Sequence, residues 1–341
     1  MAGKKLCRRA IFFVLLLSCA VATRASPKVW DGVLGAQALS SVRTAALSDS
    51  SNGHIWQRGL LAPRTLIESV LGDVLEAIGD DSEYVEYWWR EHWMPLGAHR
   101  DIDEAFADLV RVSAEDESFT FGAQRCPHFG HILYVSVEPT LLAPTCVFEE
   151  VDSGSTEDDT SVDRGGPPRA LRRMTIVPAV SGRLLRFPGH WLHAVPQPAS
   201  QYIGTTEKHS SAGQPSIRVP GSPPRERLTL LFNSWSEPPL PASEDTSYDS
   251  PLDEQVRKDF CAMPPAERVT CRPQREWESV DTAEPSGEEQ VACRLRVPLM
   301  SNKERRGCEA EDLDAIALAT SRAALQASFE SERVVHSVRL R

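Results

Sequence analysis

The sequence predicts a mainly β domain, a sandwich or a barrel, with flanking helices. Many short runs of β-branched and aromatic residues are separated by Pro, Gly and Ser turn signals, and several of them alternate between polar and apolar residues. The alternation is clearest in the Trp-rich run at 84–89, which is typical of a strand with one buried face. The predicted strands lie at 84–89, 131–137, 145–148, 174–177, 183–187, 194–195 and 228–235.

Two helices are predicted beside this β-rich region. Apolar residues recur at helical spacing from Pro63 to Ile78, and Gly79 follows as a stop signal. The second predicted helix is Glu311–Glu330, in a charged part of the chain. Two stretches rich in Ser and Gly, at 152–168 and 197–226, are expected to be long surface loops.

The first 22 residues have the pattern of a signal peptide. Basic residues precede an apolar run, Ile11–Ala22, that ends in a small-x-small cleavage signal. That run is shorter than the ~20 residues that a membrane-spanning helix needs. We therefore expect a soluble protein of the secretory pathway, in the ER lumen or secreted, with no membrane span after cleavage. An uncleaved anchor and a plastid route through the ER remain as alternatives.

Charge and cysteine content narrow the class of protein. The chain of 341 residues carries a formal charge of −11, which becomes −15 when the four basic residues of the signal are removed. An acidic protein is a poor candidate for binding nucleic acid. Six cysteines remain, an even number that permits disulfides in an oxidising compartment, although their pairing does not follow from the sequence. They are Cys126, Cys146, Cys261, Cys271, Cys293 and Cys308.

Changes in composition suggest limits for the folded unit. An acidic run rich in Pro and Ser follows Trp235 and is expected to be a linker. The region beyond it contains four of the six cysteines and has little apolar patterning, so we expect it to be dispensable for the site described next. The predicted units are a signal peptide at 1–22, a poorly ordered lead-in at 23–62, the β domain at 63–236, a linker at 237–255 and a Cys-containing C-terminal extension at 256–341.

Two histidines and one aspartate have the pattern of a metal site. His99 and Asp101 are two residues apart, and residues i and i+2 of a β-strand point to the same face. His193 follows an apolar run that ends in Phe187-x-Gly189. Two imidazoles and one carboxylate form the facial triad of non-haem Fe(II) oxygenases. Each residue alone would also fit a core histidine or a turn aspartate, so the prediction depends on the whole set.

An arginine and a threonine open the last apolar run. Arg227 and Thr229 are two residues apart and are expected on one face of a strand. A guanidinium in that position can bind a carboxylate through two parallel hydrogen bonds. Arg218 and Arg225 are rivals for this role, and Arg227 is preferred because it leads directly into the strand.

The order H-x-D, then F-x-G-x-x-x-H, then R-x-[S/T] resembles the 2-oxoglutarate/Fe(II) dioxygenase superfamily, which includes the prolyl 4-hydroxylases. The resemblance covers residues 84–236 and implies a double-stranded β-helix, a variant of the jelly roll. It also implies that His99, Asp101 and His193 bind Fe(II).

The same resemblance implies a co-substrate site and a reaction. Arg227 and Thr229 would bind the distal carboxylate of 2-oxoglutarate, and Tyr134 would reach it from the third strand. The enzyme would use O₂ to convert 2-oxoglutarate to succinate and CO₂ while it hydroxylates a C–H bond, with ascorbate as an optional reductant. The best-matching substrate would be a protein side chain, with a small molecule or a glycan as alternatives. No catalytic residue beyond the metal ligands is implied.

Other interpretations of these motifs remain. His190 lies three residues before His193 and could be taken for the ligand, and His128 and His131 form a further pair that more simply fits a loop and a strand edge. The chain could also be a non-catalytic secreted jelly-roll binding protein, or a cupin-like metalloenzyme that uses Zn or Mn. Arg227-x-Thr229 argues against both, because neither needs a buried cation beside the metal.

Overall fold

The computed structural model describes residues 26–49, 53–113, 125–139, 141–150, 171–196, 226–240, 251–264, 268, 280–281, 291–298, 312–319 and 321–340. The predicted signal peptide, the loop at 152–168 and most of the loop at 197–226 lie outside these ranges. Among the described residues, no helix has the length and apolar character to cross a membrane.

One antiparallel sheet, called sheet I here, has six strands. The residues of its strands alternate between a face covered by helices and a face turned toward the second sheet. In spatial order the strands are β1 (Lys28–Trp30), β8 (Leu184–Pro188), β5 (Phe129–Val137), β10 (Glu226–Trp235), β3 (Tyr84–His92) and β2 (His54–Gln57).

The second sheet, sheet II, has seven strands in one path. A short strand, β11 (Val280–Asp281), pairs with it in parallel, and all the other pairings are antiparallel. In spatial order the strands are β12 (Val291–Pro298), β13 (Asp312–Ala319), β14 (His336–Leu340), β7 (Leu171–Val177), β6 (Thr145–Glu150), β9 (Leu192–Val195) and β4 (Leu96–His99).

The eight strands β3 to β10 are shared between the two sheets in a jelly-roll-like way. Sheet I contains them in the order β8-β5-β10-β3, and sheet II in the order β7-β6-β9-β4. The chain therefore crosses from one sheet to the other repeatedly, as in double-sheet jelly rolls. The prediction of a mainly β protein with a few flanking helices is confirmed.

Helices cover the outer face of sheet I. Helix α2 (Leu66–Ala77) begins at Thr65, whose hydroxyl accepts a hydrogen bond of 3.0 Å from the Glu68 amide, and this satisfies a backbone donor at the helix start. Its apolar stripe packs with α1 (Ala36–Ser48) and α4 (Pro251–Ala262) against the sheet. The other described helices are α3 (Glu104–Ser113) and α5 (Arg322–Phe329).

The start of the described chain belongs to the folded core rather than to a poorly ordered lead-in. Val29 and Trp30 of β1 are buried, α1 packs under α2, and β2 extends the sheet edge with Trp56 buried beneath it. The sequence did not predict these elements, because β1 and β2 have only three and four residues and most of the buried residues of α1 are alanines, which give a weak periodic pattern.

The C-terminal region also differs from the predicted appendage. Strand β14 pairs with β7, so β12 to β14 continue sheet II, and α4 places Phe260 in the helical core. The predicted helix at 311–330 is wrong in its first half. Residues 312–319 form β13 because Ala315, Ala317 and Ala319 alternate onto a buried face, and only the second half is helical.

The cysteines of the described chain do not explain how the C-terminal region is held. Cys146 and Cys293 are buried free thiols and Cys261 is an exposed one. Cys271 and Cys308 lie outside the described residues. The strand pairing of β12 to β14, rather than a disulfide among these three cysteines, joins the region to the fold.

Candidate metal centre

Two neighbouring strands of sheet II bring the predicted ligands together. β4 and β9 are antiparallel, and their register pairs His99 directly with His193. Asp101 does not share the strand with His99, since β4 ends at His99 and Asp101 lies two residues beyond it. The turn after β4 nevertheless carries the carboxylate back toward the imidazoles.

The three side chains form the kind of group that can hold a metal ion. One ligand atom from each of His99, Asp101 and His193 lies within 4.8 Å of the others. The His193 Nε2 atom is 3.9 Å from Asp101 Oδ1, and the two imidazole rings are 4.2 Å apart between centroids. No other such group was found among the described residues. This is the donor set of the facial triad, two imidazoles and one carboxylate.

The ring nitrogens are arranged so that His99 offers a free lone pair. Nδ1 of His99 lies 2.9 Å from the Gly97 carbonyl oxygen, and a carbonyl can only accept, so Nδ1 donates and Nε2 is left to bind a metal. Burial, together with the nearby His99, lowers the pKa of His193 to about 4, while Asp101 acts in the opposite direction. His193 is therefore neutral near pH 7, which is the state that binds metals.

Packing around β9 fixes the position of His193. The Phe187 ring lies 4.9 Å from the His193 ring, between centroids. Gly189 is required in the intervening turn, because a Cβ there would come within 2.1 Å of the Pro127 carbonyl oxygen. The structure thus explains both fixed residues of F-x-G: Phe187 packs against His193, and Gly189 fits a tight turn before β9.

An ion pair holds the segment between the other two ligands. Arg100 points away from them and donates to both carboxylate oxygens of Glu150 on β6, with Nη2 distances of 2.7 and 2.8 Å. Its Nε also donates to the His190 carbonyl at 2.8 Å. Arg100 therefore ties the His99–Asp101 segment to β6 and to the turn before His193.

Arg227 lies deep between the sheets. It is 5% exposed, and its Nη2 donates to the Thr145 hydroxyl at 3.2 Å, while the Tyr134 hydroxyl donates to the same oxygen at 2.7 Å. Its Nε has no hydrogen-bond partner among the described residues, and neither does the Thr229 hydroxyl. A β-bulge lies beside them, since both pairings of β10 shift register just before Thr229.

The metal group and the buried arginine share one pocket. The pocket is lined by the three candidate ligands together with Arg227 and Thr229, and Trp88 and Arg90 of β3 form another wall. Tyr134 does not line it but lies beneath Arg227, whose guanidinium carbon is 5.2 Å from the Tyr134 ring centroid. The structure thus brings together five of the six predicted site residues and places the sixth directly behind them.

Sequence reasoning missed several residues of this site. Arg90 and Glu86 lie on the inner face of β3, and the alternation of the Trp-rich run could have indicated which of its residues face inward. Burial and the charge of Asp101 raise the pKa of Glu86 to about 7. The partnership of Arg100 with Glu150 and the role of Thr145 depend on contacts distant in sequence, so no local pattern marks them.

The other candidate residues lie elsewhere. His190 is not part of the metal group, and the contact it makes with Arg100 comes from its backbone. His131 lies on the opposite face of sheet I, stacked on Phe232 at 4.5 Å between ring centroids. Arg218 and Arg225 lie outside the described residues.

Comparisons with known proteins give no family assignment. No protein-family model matches the chain, and no curated protein matches its sequence.

Several solved structures are similar to this chain at a low level. A prolyl-4-hydroxylase from Pseudomonas putida is 11% identical, with 64% of this chain and 89% of that chain covered and a TM-score of 0.33. HygX from Streptomyces hygroscopicus, with nickel and 2-oxoglutarate bound, is 15% identical over 69% of this chain and 95% of that chain, also at 0.33. SnoN, a non-heme alpha ketoglutarate dependent epimerase from nogalamycin biosynthesis, is 13% identical over 62% and 79%, at 0.31. Similarity at this level does not by itself assign a function.

Proposed function

We propose that this protein is an Fe(II)- and 2-oxoglutarate-dependent oxygenase. The observation that carries the proposal is that one pocket contains a His, Asp and His group and, opposite it, a buried arginine that forms no ion pair within the described chain. The first half of the pocket fits a divalent metal, and the second half fits a carboxylate. A ligand that chelates the metal and ends in a carboxylate would satisfy both.

The side chains of the triad fit Fe(II). Imidazole and carboxylate are suitable donors for this ion, and three protein ligands leave positions for other molecules. When bound, the iron would supply the oxidising power together with O₂ and 2-oxoglutarate. His99, Asp101 and His193 would hold it, and Arg100 would keep the first two ligands in place through Glu150.

Arg227 and Thr229 would bind the far carboxylate of 2-oxoglutarate. A buried guanidinium without an anion is unfavourable, because the charge has lost its water without gaining a counter-charge. Burial accordingly lowers the pKa of Arg227, and the nearby Tyr134 hydroxyl opposes this. The free Nε of Arg227 and the free Thr229 hydroxyl would donate to the carboxylate, while Thr145 and Tyr134 hold the guanidinium from behind.

The reaction we propose is hydroxylation of a C–H bond in a protein side chain, coupled to the conversion of 2-oxoglutarate to succinate and CO₂. The prolyl-hydroxylase-like order of motifs supports this substrate class. We further propose that the protein acts in the ER lumen or outside the cell, since residues 1–22 have the pattern of a signal peptide. Ascorbate would then act as a reductant that restores Fe(II).

The proposal is tested by an anaerobic titration followed by a turnover assay. Fe(II) and 2-oxoglutarate added together should give a visible charge-transfer band that neither gives alone, and admission of O₂ should release succinate. Zn(II) or Mn(II) in place of Fe(II) should give neither. Hydrolytic activity with Zn or Mn and no succinate with Fe(II) would instead favour a cupin-like metalloenzyme, and no metal binding at all would favour a non-catalytic jelly roll.

A further inference from the structure

A second arginine lines the pocket and has no role in the function proposed so far. Arg90 lies on β3, and its register partner on β10 is Thr229. Its guanidinium is within electrostatic reach of both halves of the pocket, since its charge acts on Arg227 on one side and on His193 on the other, and Asp101 attracts it. It therefore lies where a ligand spanning the two halves would pass.

The Arg90 guanidinium has an unsatisfied hydrogen-bond donor. Its Nη1 atom is buried and has no hydrogen-bond partner among the described residues. Burial lowers the pKa of Arg90, and the attraction of Asp101 opposes this. No carboxylate of the described chain lies within 4 Å of the guanidinium of either Arg90 or Arg227, in contrast to Arg100, Arg125 and Arg183, which are all paired.

Two guanidinium groups in one pocket, without carboxylate partners in the described chain, favour the binding of an anion with two charges. Like charges in a partly desolvated pocket repel each other, and each guanidinium has lost at least part of the water that would stabilise it. A single carboxylate would neutralise only one of the two charges. A dicarboxylate of short chain length could present one carboxylate to each, and each pair could form two parallel hydrogen bonds.

We infer that the pocket is a two-arginine dicarboxylate site, in which Arg227 and Thr229 bind one carboxylate and Arg90 binds the other. The inference rests on the proposed function in that the natural dicarboxylate would be the co-substrate or its product. Binding itself should need no metal, because both arginines belong to the protein. Arg90 would then select dicarboxylates over monocarboxylates and hold the metal-side end of the ligand near His193.

The test is a calorimetric titration of the metal-free protein with glutarate and with butyrate, at low and fixed ionic strength. Wild-type protein should bind glutarate more tightly than butyrate. Arg90→Met should weaken glutarate binding at least about tenfold, or 1.4 kcal/mol, and leave butyrate binding unchanged. Arg227→Met should weaken both. Arg90→Lys should recover only part of the preference, because an ammonium group lacks the planar fork.

Folding of the variants is checked by thermal melting without ligand. Arg90→Met should melt at or above the wild-type temperature, because it removes a charge that repels Arg227. If that variant fails to fold, Arg90→Gln takes its place. An unchanged ratio of glutarate to butyrate affinity in a folded Arg90 variant would overturn the inference, and so would a wild-type protein that binds neither acid.

The result is separable from that of the turnover assay. A dicarboxylate preference that depends on Arg90, in a protein that never forms succinate, would leave the dicarboxylate site standing and remove the oxygenase. Turnover of 2-oxoglutarate in a protein whose Arg90 variants bind glutarate normally would support the oxygenase and overturn the dicarboxylate site.

Discussion

At the scale of single residues, the site depends on which nitrogen, oxygen or guanidinium faces the pocket. His190 and His193 are the sharpest case, because they are three residues apart and the sequence permits either as a ligand. The structure puts the His193 ring against His99, whereas the His190 ring lies outside the metal group and its backbone carbonyl accepts from Arg100.

This difference predicts opposite results for two neighbouring substitutions. His193→Ala and Asp101→Ala should abolish Fe(II) binding at ion concentrations that saturate the wild-type protein, since too few protein ligands remain. His190→Ala should leave it unchanged, because the carbonyl that accepts from Arg100 remains. Anaerobic Fe(II) titration measures all three. Loss of binding in His190→Ala with a silent His193→Ala would reverse the assignment.

The position of Arg227 predicts that its substitution affects co-substrate binding but not metal binding. Arg227→Ala should leave Fe(II) affinity unchanged and weaken 2-oxoglutarate binding at least about tenfold, since one member of a buried charge pair is lost. Arg227→Lys should recover part of the affinity. Titrations of Fe(II)-loaded protein with 2-oxoglutarate measure this. If Arg225→Ala rather than Arg227→Ala destroyed binding, the rival arginine would be the anchor.

At the scale of elements, a buried polar cluster joins α2 to sheet I. Asp80, just after the helix, accepts from the Ser234 hydroxyl at 3.1 Å and pairs with Arg186 at 3.3 Å. His131 lies 3.7 Å from the same carboxylate oxygen. Burial and the charge of Arg186 lower the pKa of His131 to about 3, against the attraction of Asp80.

This cluster predicts a loss of stability in mild acid. The unfolded chain takes up a proton on His131 near pH 6.5, and the folded chain does so only near pH 3. Between these values the unfolded state binds more protons, so the free energy of unfolding should fall by about 1.4 kcal/mol per pH unit from this group. Urea unfolding between pH 6.5 and 4.5 measures the slope. This pH range is chosen because it lies above the range in which Asp80 titrates in the unfolded chain.

His131→Gln provides the control for that slope. The slope of the unfolding free energy against pH should be smaller in the variant than in the wild-type protein by the equivalent of one proton. The contributions of His193 and His54, whose pKa values burial also lowers, and the opposite contribution of Glu86, whose pKa is raised to about 7, remain in both proteins. Equal slopes in the two proteins would mean that His131 is not the group responsible.

The elements also show how far the sequence could be interpreted. Seven of the eight strands of the jelly-roll-like core and α2 could be predicted, because their apolar residues recur at a strand or helix period. β4, with four residues, was not among the predicted strands. β1, β2 and β14 have only three to five residues, and β13 buries mainly alanines, so the patterns of these strands are weak. β12 was also not predicted, although its apolar residues Cys293, Leu295 and Val297 alternate onto one buried face. The candidate triad was predictable from spacing and residue type, whereas Arg90 and Arg100 acquire their roles only from partners that the fold brings near.

At the scale of the whole molecule, the first and last described segments meet at Arg183. This side chain is fully buried, and it donates to both oxygens of Asp31 at 2.6 and 3.0 Å. It also donates to the carbonyls of Pro178 and Arg333, at 3.1 and 2.9 Å. The segments after β1 and before β14 are thus tied to the turn before β8.

Arg183→Met should therefore destabilise the protein strongly. It would remove a donor from two carbonyls and a bidentate partner from Asp31, at a cost of roughly 3 kcal/mol. Arg43→Met is the matched control, because the pair between Arg43 and Glu226 is exposed and should contribute little. Chemical unfolding measures both variants. Similar midpoints would show that the hydrogen bonds of Arg183 contribute little to the free energy of unfolding.

The C-terminal strands predict that the fold does not tolerate truncation. Removing the residues after about 245 would uncover the edge of β7 and remove Phe260 from the helical core, so the fragment should aggregate or lose its cooperative unfolding. Phe260→Ala in the full chain should alone cost about 3–5 kcal/mol. A truncated fragment that remains soluble, folded and able to bind Fe(II) would show that the region is dispensable after all.

The pairing of β14 with β7 has a consequence for synthesis on the ribosome. β7 is complete once residue 177 has been added, but its partner does not exist until residue 340 has been added, more than 160 residues later. At about 5–20 residues per second, the nascent chain holds that sheet edge open for roughly 8 to 30 seconds. During this interval the edge is a site where chaperones, or a neighbouring nascent chain, could pair with it.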